Sequence, residues 1–223
     1  MRGRDIAIIA AFSSIYAVIS LIPGFQVIGV PGTDIRISRA LEAIYGAMLG
    51  PFIGPLAAFI GALVGRFLAG GGFGMLFTPL ALISSFIAAC IAWRNDRKIP
   101  SIIFSVLIIT WYILVGREIP LYAIPHILGL LIIILFGSKI YELLNSRDKG
   151  RLFLGLLLLS YPSTMAGHMM GNIIFFIFIN PSPTLFLTTL PLTIIERSII
   201  TLISASLGVP ILTIAKRIFP IQQ

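Results

Sequence analysis

The chain has 223 residues, of which 58% are hydrophobic and 11% are charged, and its formal net charge is +8. Soluble domains carry about 25% charged residues, so this composition excludes an ordinary water-soluble domain and predicts a surface that faces lipid. No polar stretch is long enough for a separate soluble domain. We therefore expect residues 1–223 to form a single transmembrane domain.

Eight apolar runs follow one another along the chain, and each indicates a helix. They lie approximately at residues 6–22, 38–50, 52–69, 77–93, 100–115, 121–140, 152–178 and 190–215. A helix needs about 20 residues to cross a hydrocarbon core of about 30 Å, so the second and third runs are short. They form either two thin spans, which we favour, or one re-entrant hairpin. The predicted fold is an all-α integral membrane protein, a helical bundle of six to eight transmembrane segments.

The loop charges predict the orientation. The first run follows Arg2 and Arg4 without a clear cleavage site, so we interpret it as a retained helix. A cytoplasmic N-terminus places most basic residues inside, including those of the loops near residues 94–98 and 139–151. The positive-inside rule then predicts that both termini are cytoplasmic in a multi-pass protein of the cell membrane. The same rule explains the positive charge without a nucleic-acid partner.

A glycine-rich segment at residues 46–66 indicates unusually close helix packing. Gly46, Gly50 and Gly54 are spaced four apart, and small residues at this spacing let two helix backbones approach. Pro51 and Pro55 follow two of these glycines and interrupt the helix, because proline removes a hydrogen-bond donor and crowds the preceding turn.

Ionisable groups inside membrane spans are costly and usually face a cavity or a partner. The predicted orientation places several such groups, with one asparagine, in the outer half of the membrane, where we expect them to line a substrate pocket. The predicted substrate-binding residues are Arg36, Glu42, Arg66, His168, Asn172, Glu196 and Arg197.

Simpler roles remain open for these residues. The side chains of Arg66 and Arg197 could reach the membrane interface, with Glu42 and Glu196 as their ion-pair partners. His168 could hydrogen-bond a neighbouring helix. The loop from Pro23 to Ser38 is either a lid over the pocket or a passive connector.

Enzymatic chemistry is not expected from this sequence. It contains no P-loop, no cysteine cluster and no recognisable catalytic set, and we predict neither a metal nor a cofactor. His126 has no companion in the sequence and is given no role. Cys90, the single cysteine, is expected to be packed or to face lipid.

Three features together resemble a known family. Ala7 and Ala11 lie one turn apart near the predicted cytoplasmic end of the first helix. The glycine-rich segment follows a long external loop, and the last run opens with Pro191 and Glu196. In this order and spacing, the features resemble the substrate-binding S components of energy-coupling factor (ECF) transporters, which import vitamins and related micronutrients.

The resemblance implies a six-helix subunit that captures substrate from outside and topples to release it inside. It also implies a membrane coupling protein and two cytoplasmic ATPases as partners, with Ala7 and Ala11 docking onto the coupling protein. Two apolar runs between Arg94 and Arg151 depart from the pattern, which indicates either an inserted helix pair at residues 94–151 or a divergent branch of the family. The alternative function is a self-sufficient secondary transporter or channel that uses the helix breaks as a gate.

Overall fold

A computed structural model describes residues 2–22, 24–26 and 34–218. The described residues form seven α-helices: α1 (Gly3–Ile19), α2 (Ala40–Leu68), α3 (Pro79–Arg94), α4 (Lys98–Trp111), α5 (Ile124–Leu144), α6 (Lys149–Ile179) and α7 (Pro183–Ile218). Short 3-10 segments cover Ile37–Arg39, Gly72–Phe77 and Pro120–Ala123, and a π-helical turn, Tyr112–Gly116, extends α4. Two antiparallel two-residue strands, β1 (Phe25–Gln26) and β2 (Asp34–Ile35), lie between α1 and α2. The other residues of the predicted lid, Pro23 and 27–33, lie outside the described residues.

The helices confirm a helical membrane bundle. Among the described residues, six helical segments are, by length and composition, able to cross a membrane: Ile37–Leu68, Gly72–Arg94, Lys98–Gly116, Pro120–Leu144, Lys149–Ile179 and Pro183–Lys216. Many large apolar side chains lie on the outside of the bundle, among them Phe52 and Phe67, which are 70% and 72% exposed. A protein that exposes such side chains in so many places is suited to lipid.

Helix α2 reverses direction at Gly50. This residue has φ 82° and ψ −177°, which is not helical and which glycine adopts at little cost. A methyl group placed on Gly54 would lie only 3.1 Å from the Cα atom of Gly46. In a straight helix these two residues would be about 12 Å apart. The second and third predicted runs are therefore two antiparallel helical segments, 40–49 and 51–68, and the bend packs against the indole ring of Trp93.

Close packing of small residues joins α2 to α1. A methyl group on Gly61 would lie 2.6 Å from Cβ of Tyr16, so the helices approach to a distance that only glycine allows there. The hydrogen bonds that cross the same interface include those from Ser13 Oγ to the carbonyl of Ala57 at 3.1 Å and from Tyr45 Oη to the carbonyl of Phe12 at 2.9 Å. The close packing predicted for the glycine-rich segment is confirmed. The predicted interruption at Pro55 is wrong, because the backbone leaves the helical conformation only at Gly50 and α2 continues through Pro55.

Helix α6 lies at the centre of the bundle and packs against α3, α5 and α7. Its buried residues include Leu156, Leu159 and Met165, which belong to the main hydrophobic core. Helices α4 and α5, the predicted insertion, pack against each other and against α6. Cys90 is fully buried in α3, so of the two expected positions, packed or facing lipid, it occupies the packed one.

The helix connections alternate between two faces of the bundle. The α3–α4 and α5–α6 connections carry Arg94, Arg97, Lys98, Arg147, Lys149 and Arg151 on one face, and all six are exposed. We call this the basic face. The ends of α1 and α6, and the start of α7, lie at the opposite face. The positive-inside rule predicts that the basic face is cytoplasmic.

Thiol labelling of whole cells tests this orientation. In a Cys90→Ala background, a cysteine replacing Ser182 should react with an impermeant thiol reagent from outside. A cysteine replacing Ser146 should react only after the cells are permeabilised. The two changes are matched serine-to-cysteine substitutions in connections at opposite faces. Labelling of the Ser146→Cys protein in intact cells would show that the orientation is the reverse of the predicted one.

Candidate functional site

A cavity of about 90 Å³ lies between α2, α3, α6 and α7, towards the face opposite the basic face. Charged and polar side chains form one part of its wall: Arg39, Glu42, Arg66, Ser84, Thr164, His168, Asn172 and Arg197. Apolar side chains form the rest: Phe77, Leu80 and Phe175, with backbone contributed by Gly167 and Gly171. The wall thus combines hydrogen-bond donors and positive charge with aromatic surface.

The cavity brings together five of the seven residues that the sequence singled out, namely Glu42, Arg66, His168, Asn172 and Arg197. Glu196 is beside the cavity, buried and bound to Arg197. Arg36 lies elsewhere: it donates to the carbonyl of Ser20 and lines a smaller neighbouring pocket. That pocket shares Arg39 and Arg66 with the main cavity, so Arg36 is next to the site and not within its wall.

Glu42 is held by two donors. Its Oε1 atom accepts from Arg39 Nη1 at 2.8 Å and from Tyr16 Oη at 2.9 Å. Arg39 also donates from Nη2 to the carbonyl of Phe77 at 2.9 Å, which links α2 to the 3-10 segment before α3. Arg39 was not among the predicted site residues, although its position three residues before Glu42 is a known ion-pair spacing on helices. Nothing in the sequence indicates that Tyr16 contacts Glu42.

Arg197 and Glu196 form a second buried ion pair, at the cavity wall contributed by α7. The carboxylate of Glu196 accepts from Arg197 Nη2 at 2.7 Å, and Arg197 Nη1 donates to Thr164 Oγ1 on α6 at 3.1 Å. Both residues of the pair are 4% exposed. The expectation that the glutamates could pair with arginines is therefore met at Glu196.

His126 contacts His168, although the sequence indicates no companion for it. Its Nε2 atom lies 3.1 Å from Nδ1 of His168, and the two rings are parallel, with centroids 5.3 Å apart. His126 is fully buried, and buried polar side chains are usually hydrogen-bonded, as its Nε2 atom is here. The sequence does not indicate this contact, because the partner lies 42 residues away on another helix.

His168 and Asn172 share one face of α6, as their spacing of four residues predicts. Asn172 Nδ2 lies 3.4 Å from His168 Nδ1, and both side chains line the cavity. Within the described ranges, no three His, Cys, Asp or Glu side chains come together as a metal site. The arrangement offers ion pairing and hydrogen bonding, which are the interactions that recognise a small polar molecule.

The chain is similar to an uncharacterized protein of Methanocaldococcus jannaschii, with 31% identity over 187 residues. The alignment covers 81% of this chain and 61% of that protein, so the chain spans less than two thirds of its relative's length. No protein-family model matches the chain, and no solved structure is significantly similar to it.

Proposed function

We propose that this chain is the substrate-binding subunit of an ATP-driven importer of the ECF type, and that it captures a vitamin or a related micronutrient from outside the cell. The observation that carries the proposal is the cavity towards the face opposite the basic face, with buried charged groups from α2 and α7. Burying charged groups in a membrane bundle is expensive, and two ion pairs hold them in place here. With the basic face in the cytoplasm, the cavity lies nearer the outside.

The partners in the proposal are a membrane coupling protein and two cytoplasmic ATPases. Ala7 and Ala11 support this part, because both lie on the exposed surface of α1 and not against α2. Residues Ile9, Ser13 and Tyr16 occupy the buried side of the same helix. An exposed pair of small side chains in the half of α1 nearer the basic face leaves room for the backbone of a partner helix.

The alternative, a self-sufficient transporter gated at its broken helix, receives less support from the geometry. Such transporters place their helix breaks at the substrate site, where the freed backbone groups bind it. Here the break at Gly50 packs against Trp93, near the end of α3 at the basic face. Neither Gly50 nor Gly54 is among the residues that line the cavity.

Mass spectrometry of small molecules that co-purify with the detergent-solubilised protein would identify the substrate. With that ligand in hand, alanine at His168, Asn172 or Glu196 should weaken binding about five- to 150-fold, since loss of a buried polar partner costs about 1–3 kcal/mol. Isothermal titration calorimetry measures this effect.

Matched controls exist on the basic face. Asn145 is exposed, and Glu142 forms an exposed pair with Lys139, so Asn145→Ala and Glu142→Ala should bind the ligand as the wild type does. Wild-type affinity in all three cavity variants would show that the ligand binds elsewhere.

A further inference from the structure

The two histidines of the chain, His126 on α5 and His168 on α6, form a well-directed hydrogen bond. Nε2 of His126 and Nδ1 of His168 are 3.1 Å apart, and the two ring planes differ by only 6°. The ring centroids are farther apart than these nitrogens by about the width of one imidazole ring. The rings therefore lie edge to edge in nearly one plane, so that the N–H of one ring points at the lone pair of the other.

Aromatic packing holds the ring of His126 in place. The residue is fully buried, and its ring contacts that of Tyr122, with the centroids 5.7 Å apart. Tyr122 in turn packs against the buried rings of Trp111 and Phe186. None of these four residues is among those that line the cavity. His126 is thus fixed from outside the cavity and acts on it only through His168.

The other ring nitrogen of His168, Nε2, is open to the cavity. His168 lines the cavity and is only partly buried. Its Nε2 atom makes no hydrogen bond with the described residues, and it is not one of the polar atoms that are sealed from solvent without a partner. The atom therefore has accessible surface, and a molecule in the cavity can form a hydrogen bond with it.

The neighbours of Nδ1 of His168 indicate that this nitrogen carries no proton. Nδ2 of Asn172, an amide nitrogen that can only donate, lies 3.4 Å from it, and Nε2 of His126 faces it as well. The opposite tautomer would turn an N–H of His168 towards that amide. It would also leave an N–H on Nδ1 of His126, which is buried and makes no hydrogen bond with the described residues. A neutral imidazole carries its proton on one nitrogen, so in His168 that nitrogen is Nε2.

We propose that His126 is a positioning residue, which fixes His168 as the tautomer that donates a hydrogen bond from Nε2 into the cavity. This inference rests on the proposed function, since it concerns how the same cavity recognises its substrate. The substrate then presents an acceptor to His168, either a carbonyl oxygen or an unprotonated ring nitrogen. A histidine that exchanged freely between tautomers would bind donors and acceptors alike, so the fixed tautomer rejects molecules that present only an N–H or O–H there.

Nitrogen NMR of the full-length protein in detergent tests the tautomer, since the chemical shift of a ring nitrogen depends strongly on whether it bears a proton. With isotope-labelled histidine at about pH 8, where the imidazole ring is ordinarily neutral, only two residues give signals, and His168→Phe assigns them. In the wild type, Nε2 of His168 should be protonated and Nδ1 should not. In His126→Phe, which keeps a ring but removes the donor, the shifts of these two nitrogens should move towards a common average.

Two further variants separate positioning from a loosened helix interface. His126→Gln places an amide N–H close to the position of Nε2, so it should restore the pattern of the wild type. Tyr161→Phe removes a different hydrogen bond between α5 and α6, the one to the carbonyl of Pro125, and should leave the pattern unchanged. In the wild type itself, a nitrogen–nitrogen coupling across the hydrogen bond should join the two histidines, so the test does not depend on the folding of any variant.

Two small flat probes then test the donor. Pyridine accepts a hydrogen bond but cannot donate one, whereas the ring nitrogen of pyrrole donates and does not accept. Added to the wild type, pyridine should shift the Nε2 signal of His168, and pyrrole should not.

Each part of the proposal has its own contradicting result. A proton on Nδ1 of His168 in the wild type would overturn the tautomer. No coupling between the histidines, or an unchanged pattern in a folded His126→Phe protein, would overturn the role of His126. No shift with pyridine, or an equal shift with pyrrole, would overturn the donor. These failures would leave the importer function untouched, whereas solute movement by the chain without ATPases would reject the importer subunit and leave the tautomer unchanged.

Discussion

Replacing Glu42 with glutamine is expected to lower the free energy of unfolding by about 3–5 kcal/mol, the range found when one partner of a buried ion pair is removed. The carboxylate is 2% exposed and accepts from both Arg39 and Tyr16. Glutamine keeps the size of the side chain but leaves the charge of Arg39 without its carboxylate partner. Denaturant-induced unfolding in detergent, followed by circular dichroism, measures the loss.

Two further variants separate the contribution of the buried charge of Glu42 to the free energy of unfolding from that of its hydrogen bonds. Glu142 pairs with Lys139 at 2.7 Å, but both side chains are more than 60% exposed, so Glu142→Gln should cost less than about 1 kcal/mol. Tyr16→Phe removes one hydrogen bond to Glu42 and should cost about 1 kcal/mol, or somewhat more because an acceptor loses its partner. A Glu42→Gln protein as stable as the Glu142→Gln protein would show that the buried pair does not stabilise this fold.

The largest functional effect is expected at α1. Replacing both Ala7 and Ala11 with tryptophan should abolish uptake and co-purification with the coupling protein, while ligand binding stays near that of the wild type. Two bulky rings on the exposed side of α1 would hold a partner helix away. The cavity lies towards the other face of the bundle, so its lining should not be disturbed.

A matched control lies on α4. Ile102 and Val106 have the same spacing of four residues, lie in the half of the helix nearer the basic face, and are 62% and 55% exposed. Tryptophan at both positions should leave uptake and assembly intact. Loss of uptake in this control as well would mean that added bulk anywhere on the surface is harmful, and the docking surface on α1 would then be unsupported.

The helical fold follows from local patterns that the sequence displays. Apolar runs mark the helices, and the Gly50-Pro51 step marks the reversal within α2, because glycine and proline each impose a backbone conformation on their own position. The face shared by His168 and Asn172 is equally local, since it depends only on the helical repeat.

The missed parts of the site depend on contacts between distant segments. Tyr16 reaches Glu42 across the interface between α1 and α2, and His126 meets His168 across that between α5 and α6. Which residues face each other depends on the rotation and tilt of packed helices, and a single sequence does not contain that information. Arg36 shows the same difficulty. The sequence predicts that it lies in the outer half of the membrane, but its side chain donates to the carbonyl of Ser20 and does not line the main cavity.

The proposed importer subunit is tested most directly by reconstitution. Proteoliposomes that contain this chain alone are compared with proteoliposomes that also contain the coupling protein and both ATPases, using the ligand identified by mass spectrometry. We predict ATP-dependent accumulation only in the complete set, and binding without accumulation by the chain alone. Accumulation or equilibration of the ligand by the chain alone, without ATPases, would contradict the account.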